Sequence, residues 1–191
     1  MPIRVSPTNF DIVVANVVAD HAHPLPESVA RTLTYGADEK LLIALAGAVW
    51  IYARERKPSL RPAADHLLRV TLVTSILPHF LKAYVNQTRP DRYVVAAHRR
   101  GIPISGHAND AFPSGHAVHM GALASAATML RPKYRNVVWA ATVGLSISRI
   151  LILAHWTSDV IVGFGIGAVI ERLVRPFTRF PSPPGTRRRS G

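Results

Sequence analysis

Lys82, Arg89, Ser114, His116, Arg149, His155 and Asp159 fall in three short islands of the chain. These are Lys82 to Pro90 (KAYVNQTRP), Pro113 to His116 (PSGH) and Ser148 to Asp159 (SRILILAHWTSD). Cations, hydroxyl and backbone donors, two imidazoles and a carboxylate are what a chain needs to hold a phosphoryl group and transfer it to a histidine. Lys82 and Arg89 are seven residues apart. In a helix that spacing puts both cations on one face, two turns apart, and Pro90 stops any helix after the arginine. Arginine supplies a bidentate fork and lysine a point charge, although the same pair also fits cations that snorkel at a membrane edge. Ser114 is a natural N-cap, and Gly115 lets backbone N–H groups approach an anion at a helix start. On its own, PSGH reads equally as an ordinary serine cap beside a bystander histidine. Arg149 lies in the apolar run SISRILILAH, where an ionisable group is expensive and points to function. His155 and Asp159 are four apart. If that segment is helical, the carboxylate accepts the Nδ1–H and leaves Nε2 as a free electron pair; the alternative is a pair that caps the next helix.

Five apolar stretches must carry these islands: Leu41 to Ala53, Leu67 to Leu81, Ala117 to Leu130, Val137 to Ala154 and Val160 to Val174. Only the fourth approaches the roughly 20 residues that cross a bilayer core as a helix. Arg69, His79, Arg149 and Glu171 interrupt the apolar character, so a soluble all-α bundle competes with a membrane bundle. Four features favour the bilayer. Polar flanks lengthen the helices and long basic side chains snorkel. Small residues cluster at Gly121 to Ala127 and Gly163 to Ala168, suiting close helix contact. Trp50, Tyr52 and Trp156 stand at segment ends, where interfacial aromatics belong. Basic groups follow the first stretch (Arg54, Arg56, Lys57, Arg61), the third (Arg131, Lys133, Arg135) and the fifth (Arg172, Arg175, Arg179, Arg187 to Arg189). If each stretch crosses once, all three groups share one side, as the positive-inside rule requires, and the three islands share the other.

The expected architecture is therefore all-α: an integral membrane bundle of about five spanning helices. The segment Phe10 to Ala19 is too short to span and is expected to lie along the interface. Residues 1–180 read as a single membrane-embedded domain and 181–191 (PSPPGTRRRSG) as a disordered basic tail. The long loop 83–112 holds Arg92, Arg99, Arg100, Pro103 and Gly106, and a loop of that length is usually functional.

Composition narrows the partners. The 191 residues carry 23 Lys plus Arg against 11 Asp plus Glu, a net charge of +12. That balance calls for an anionic partner. The basic residues form no nucleic-acid-binding motif, which leaves a phosphorylated substrate and an anionic lipid surface. The absence of cysteine excludes disulfides, thiolate metal sites and a cysteine nucleophile. Asp11, Asn16 and Asp20 interrupt the N-terminal apolar run, which makes a poor signal peptide. His107, His116 and His119 are near one another, but no carboxylate or cysteine pattern supports a metal there. His21, His23, His66, His79 and His98 read as surface or packing residues.

Taken together, the islands resemble the tripartite signature of the type 2 phosphatidic acid phosphatase superfamily: Lys, six residues, Arg-Pro; Pro-Ser-Gly-His; Ser-Arg, five residues, His, three residues, Asp. The superfamily comprises membrane lipid phosphatases, soluble class A acid phosphatases and vanadium haloperoxidases. All signature positions match between Lys82 and Asp159. The resemblance implies His155 as nucleophile forming a phosphohistidine, Asp159 as its orienting partner, and His116 as the acid for the leaving oxygen and then the base for water. It implies that Lys82, Arg89, Arg149, Ser114 and the Gly115 N–H hold the phosphoryl oxygens, with no metal and no cofactor. The expectation is a multi-pass inner-membrane lipid phosphatase with its site on the periplasmic or extracellular face. Its substrate is expected to be a lipid phosphomonoester or pyrophosphate. A vanadate-dependent haloperoxidase and a non-catalytic membrane lipid-binding protein are the alternatives. Many members of the membrane branch have six spans, so the weak first segment is a departure.

Overall fold

Each apolar stretch of the sequence becomes a helix. The computed structural model describes residues 2–21, 28–30, 32–33, 36, 38–94, 107–178 and 180. Strand β1 (Ile3–Arg4) leads into α1 (Asn9–Asp20), followed by α2 (Glu39–Glu55) and α3 (Arg61–Tyr84). Strand β2 (Val85–Asn86) pairs in parallel with β1 and precedes the one-turn α4 (Pro90–Tyr93). The bundle closes with α5 (Gly115–Ala127), α6 (Pro132–Leu151) and α7 (Thr157–Val174). Arg99, Arg100, Pro103, Gly106 and the tail 181–191 lie outside the described residues.

The helix starts follow local chemistry. Thr8 caps α1 in a reciprocal box, accepting from the Asp11 N–H while the Asp11 carboxylate accepts from the Thr8 N–H. Asp38 caps α2 through the Lys40 and Leu41 N–H groups. Pro132 opens α6, where its missing N–H costs nothing. Glycines let α5 and α7 approach backbone to backbone. A Cβ on Gly121 would collide with the Phe164 carbonyl, and one on Gly167 with the Val118 carbonyl.

The bundle buries many small and polar residues beside a few large apolar ones such as Trp156 and Met120, and exposes many large apolar side chains. Its interior holds alanines together with Thr74, Thr142, Ser146 and Ser125. Val137, Ile161 and Leu173 stand outward, each 65% exposed, with Phe80, Ile76, Ile147 and Val169 along the same outer surface. The buried hydroxyls return their hydrogen bonds to helix carbonyls, as Thr74 does to Val70 and Ser146 to Thr142.

The five helices form where the apolar pattern places them. No helix among the described residues, however, is long and apolar enough to cross a membrane. The 13 residues of α5 give about 20 Å of helix against a hydrocarbon core of about 30 Å. The longest, α3, carries Arg61, Asp65, Arg69 and Lys82 among its 24 residues.

The helix directions gather one set of ends at the islands: the start of α2, the end of α3, the start of α5 and the end of α6. The basic groups Arg54, Arg56 and Lys57, Arg131, Lys133 and Arg135, and Arg172 and Arg175 stand at the other ends. That far end also holds a buried polar cluster. The Glu171 carboxylate receives the Arg175 guanidinium at 2.9 and 2.6 Å, the Ser125 hydroxyl at 2.6 Å and His66 Nε2 at 2.9 Å. His66 Nδ1 meets the Thr178 hydroxyl at 2.8 Å, and its ring stacks on Phe180. Of the histidines read as surface or packing residues, His66 is thus wholly inside, while His79 is exposed and faces Glu39 at 3.2 Å. His23 and His98 lie outside the described residues.

Candidate active site

The last turn of α3 delivers Lys82, and the chain then leaves the helix. It runs through β2 and reaches Arg89 in extended conformation before Pro90 starts α4. Lys82 and Arg89 therefore do not share a helical face as their spacing suggested, because α3 stops at Tyr84. Asp110 brings them together. Its Oδ1 accepts from Arg89 Nε at 2.9 Å and lies 2.8 Å from Nη2, while Oδ2 is 3.6 Å from Lys82 Nζ. Arg89 also donates to the Ala154 carbonyl at 3.1 Å and the His107 carbonyl at 3.2 Å. The guanidinium is thereby held by both flanking loops.

Ser114 caps α5 from a buried position, its hydroxyl 3.5 Å from the Ala117 N–H. Its own N–H donates to the Asp159 carbonyl at 3.3 Å, which ties PSGH to the start of α7. Gly115 and His116 form the first turn of α5 and face the same space as Arg149, from the last turn of α6.

His155 sits in the tight turn between α6 and α7. Leu153 takes a left-handed conformation there, with φ of 54°. For a non-glycine residue this costs about 1–2 kcal/mol, and packing against Ala15, Ala19, Ala111 and Trp156 holds it in place. The Leu153 carbonyl accepts from the Asp91 N–H at 3.0 Å. His155 Nδ1 lies 2.7 Å from the Ala111 carbonyl. A carbonyl only accepts, so Nδ1 carries the proton and Nε2 keeps its lone pair. Burial, and then the charges of Arg89, Arg149 and Lys82, push the imidazole well below its usual range; the Ala111 carbonyl opposes them.

The expected bond from His155 Nδ1 to Asp159 is not made. The nearest carboxylate oxygen is 3.9 Å away. Asp159 occupies the third position of α7 and turns its Oδ2 to the Trp156 N–H at 2.9 Å. An orphan N–H at a helix start has no other partner within its own helix, and this carboxylate satisfies it. Asp159 thus braces the turn that carries His155.

Lys82, Arg89, Gly115, His116, Arg149 and His155 line one cavity of about 360 Å³. Ser114 and Asp159 are buried behind it. Asp38, Glu39, Lys40, Pro78, His79 and His119 complete the lining, and none of these six is in the signature. Among the described residues no three His, Cys, Asp or Glu side chains group as metal ligands. The sequence reading overlooked Asp110 and the Ala111 carbonyl. Asp110 carried a signal: it is the only acidic residue between Asp91 and Asp159. A second cavity of about 350 Å³ lies between α2, α3 and α5, lined by apolar side chains such as Leu45, Leu67, Val70 and Leu123, and it shares His119 with the first.

Several known proteins are similar to this chain in sequence or in fold. The lipid A 1-phosphatase of Rhizobium johnstonii is 35% identical over 104 residues, 54% of this chain and 43% of that protein. The lipid A 1-phosphatase of Rhizobium etli is 34% identical over 103 residues, 53% of this chain and 44% of that protein. The match therefore spans less than half the length of these relatives. The crystal structure of Aquifex aeolicus LpxE superposes with a TM-score of 0.66 at 18% identity, covering 90% of this chain and 98% of that one. That of a transmembrane PAP2 type phosphatidylglycerolphosphate phosphatase from Bacillus subtilis gives 0.60 at 22% identity, covering 89% and 87%. At these identities the structural likeness speaks for the fold. Residues 63–181, which hold every island and all the helices from α3 onward apart from its first two residues, match the family profile, and by that match the chain belongs to the PAP2 superfamily.

Proposed function

We propose that the protein is a membrane-embedded lipid phosphatase that works through a phosphohistidine on His155. The observation that carries this reading is the pairing of His155 with the Ala111 carbonyl inside a cavity where Lys82, Arg89 and Arg149 converge. The pairing leaves Nε2 unprotonated and held in place, and Lys82, Arg89 and Arg149 supply the positive charge that a transferring phosphoryl group requires.

In the first step Nε2 attacks phosphorus in line. The P–N bond forms, the bond from phosphorus to the leaving oxygen breaks, and His116 donates the proton that oxygen needs. In the second step His116 takes a proton from water. The water oxygen attacks phosphorus, the P–N bond breaks and inorganic phosphate leaves. The three cations and the Gly115 N–H hold the phosphoryl oxygens throughout. Ser114 serves by capping α5 and so aiming those N–H groups, and Asp159 serves by bracing the turn of His155.

The large apolar side chains spread over the outer surface support a bilayer location, since extended exposed apolar surface marks contact with membrane or protein. The basic ends of the helices support an inner-membrane orientation with the site on the periplasmic or extracellular face. A hydrophobic cavity beside a phosphate cavity suits an amphiphile with one phosphorylated end. The relatives named above make the 1-phosphate of a lipid A-type glycolipid the first substrate to test. Phosphatidic acid, phosphatidylglycerol phosphate and a polyprenyl diphosphate are the competitors. Phosphate release from these four, with magnesium and with chelator, tests the proposal. Release from one or more of them by the wild type, and from none by His155→Ala, is the expected result. Turnover by an intact His155→Ala protein overturns the nucleophile assignment, and inactivity of the wild type toward all four overturns the function.

A further inference from the structure

The N-terminal segment lies outside the family-matched residues 63–181, yet it reaches both ends of the site. Ile3 and Arg4 pair with Val85 and Asn86, between Lys82 and Arg89, and the Val5 N–H donates to the Asn86 carbonyl at 3.0 Å. From α1, Ala15 and Ala19 pack on Leu153, Trp156 and Ala111, the residues that surround His155. Asp11 goes further. It is 1% exposed, and its Oδ1 accepts from the Ser158 N–H at 2.8 Å while Oδ2 accepts from the Ser158 hydroxyl at 2.8 Å.

Ser158 is the second residue of α7. Two carboxylates from distant parts of the chain therefore divide the free N–H groups at one helix start: Asp159 takes Trp156 and Asp11 takes Ser158. His155 is the residue immediately before this doubly held start. We propose that Asp11 is a positioning residue for the nucleophile, fixing the start of α7 from outside the family core. It does not touch the phosphoryl cavity. It acts because in-line attack tolerates little displacement, and a shift of about 1 Å in a reacting atom costs about a hundredfold in rate.

The role rests on the reading of His155 as nucleophile, and the test separates the two. The full-length protein is assayed on a phosphatidic acid with short acyl chains, with inorganic phosphate as competitive inhibitor. Asp11→Ala is expected to lower kcat by about 10- to 100-fold. KM and the inhibition constant for phosphate, set by Lys82, Arg89 and Arg149, are expected to stay within about twofold. Asp11→Asn keeps one acceptor for the Ser158 N–H and is expected to recover most of the loss. Thr8→Ala weakens the α1 cap but leaves the Asp11–Ser158 bonds, and is the control for general loosening of α1.

A kcat within about twofold of wild type in Asp11→Ala, with His155→Ala inactive, overturns the positioning role while leaving the nucleophile in place. Equal losses in Thr8→Ala and Asp11→Ala overturn it as well, since only helix loosening would then be at work. Activity in His155→Ala instead overturns the underlying function. If Asp11→Ala fails to fold, Asp11→Ser, whose shorter side chain stays polar but does not reach the Ser158 N–H, gives the same decision: a kcat several-fold below that of Asp11→Asn supports the role, and one equal to it overturns it.

Discussion

The two ends of the bundle each bury a cluster of charged side chains, and the clusters are built on opposite principles. At the far end, Glu171 is saturated by Arg175, Ser125 and His66, and His66 is closed off by Thr178 and Phe180. At the site end, Lys82, Arg89 and Arg149 share one cavity, and Asp110 pairs with two of them. One cluster neutralises its charges within the chain. The other gathers Lys82, Arg89 and Arg149 at a cavity, where they can meet an anion from outside the chain. A saturated network specifies packing, whereas one that faces a cavity can receive a ligand.

The sharpest way to break this contrast is to remove the central group of each end. His155→Ala at the site end is expected to lower phosphate release by at least about a thousandfold, equivalent to about 4 kcal/mol, with the melting temperature little changed. Steady-state assays and thermal melts read both quantities. At the far end, Glu171→Ala leaves the half-buried Arg175 guanidinium and the buried His66 and Ser125 without their shared acceptor. An expected loss of about 3–5 kcal/mol in stability follows, while kcat per folded molecule stays near wild type. Denaturant or thermal unfolding in detergent checks it, and a large fall in kcat without loss of stability would erase the distinction between the ends.

A smaller effect is expected at Asp110, which belongs to the site end but behaves like the other. Asp110→Asn removes the negative charge that ties Lys82 to Arg89. Two consequences oppose each other: the cations attract phosphate more strongly, and they lose their common anchor. Tighter inhibition by inorganic phosphate, by about threefold, together with a kcat lowered by about tenfold, is the expected split. The smallest expected effect is on pH dependence. Burial, and after it the cations, hold His155 neutral below the ordinary imidazole range, so the acidic limb of kcat/KM is expected below about pH 6.5. Lys82→Gln removes one opposing charge, makes protonation of His155 easier and moves that limb to higher pH by less than about one unit. A limb that stays put or moves to lower pH would contradict the electrostatic account.

Much of the site was legible in the chain. The three islands named the groups that line the cavity, and the five apolar stretches named the helices that carry them. What the sequence reading could not place were partners from other segments. Spacing alone put Lys82 and Arg89 on one helical face, whereas a carboxylate 21 residues beyond Arg89 is what joins them. Spacing alone joined His155 to Asp159, whereas a backbone carbonyl 44 residues away holds the ring. A carbonyl has no residue identity to read, so no motif could have announced it. The apolar stretches with their small residues marked where the helices lie, but the 13 residues of α5 and the charges within α3 leave no described helix long and apolar enough to cross a membrane.

The amino-acid sequence by itself determined which groups are present, the helices that local periodicity and capping dictate, and the sign of the charge at each helix end. These are local properties, set within a few turns of chain. The tertiary structure alone decided that Asp110 gathers two cations, that the Ala111 carbonyl selects the tautomer of His155, and that Asp11 and Asp159 share the start of α7. Each of these is a hydrogen bond or ion pair whose geometry depends on where distant segments meet, and only the packed bundle supplies that meeting place.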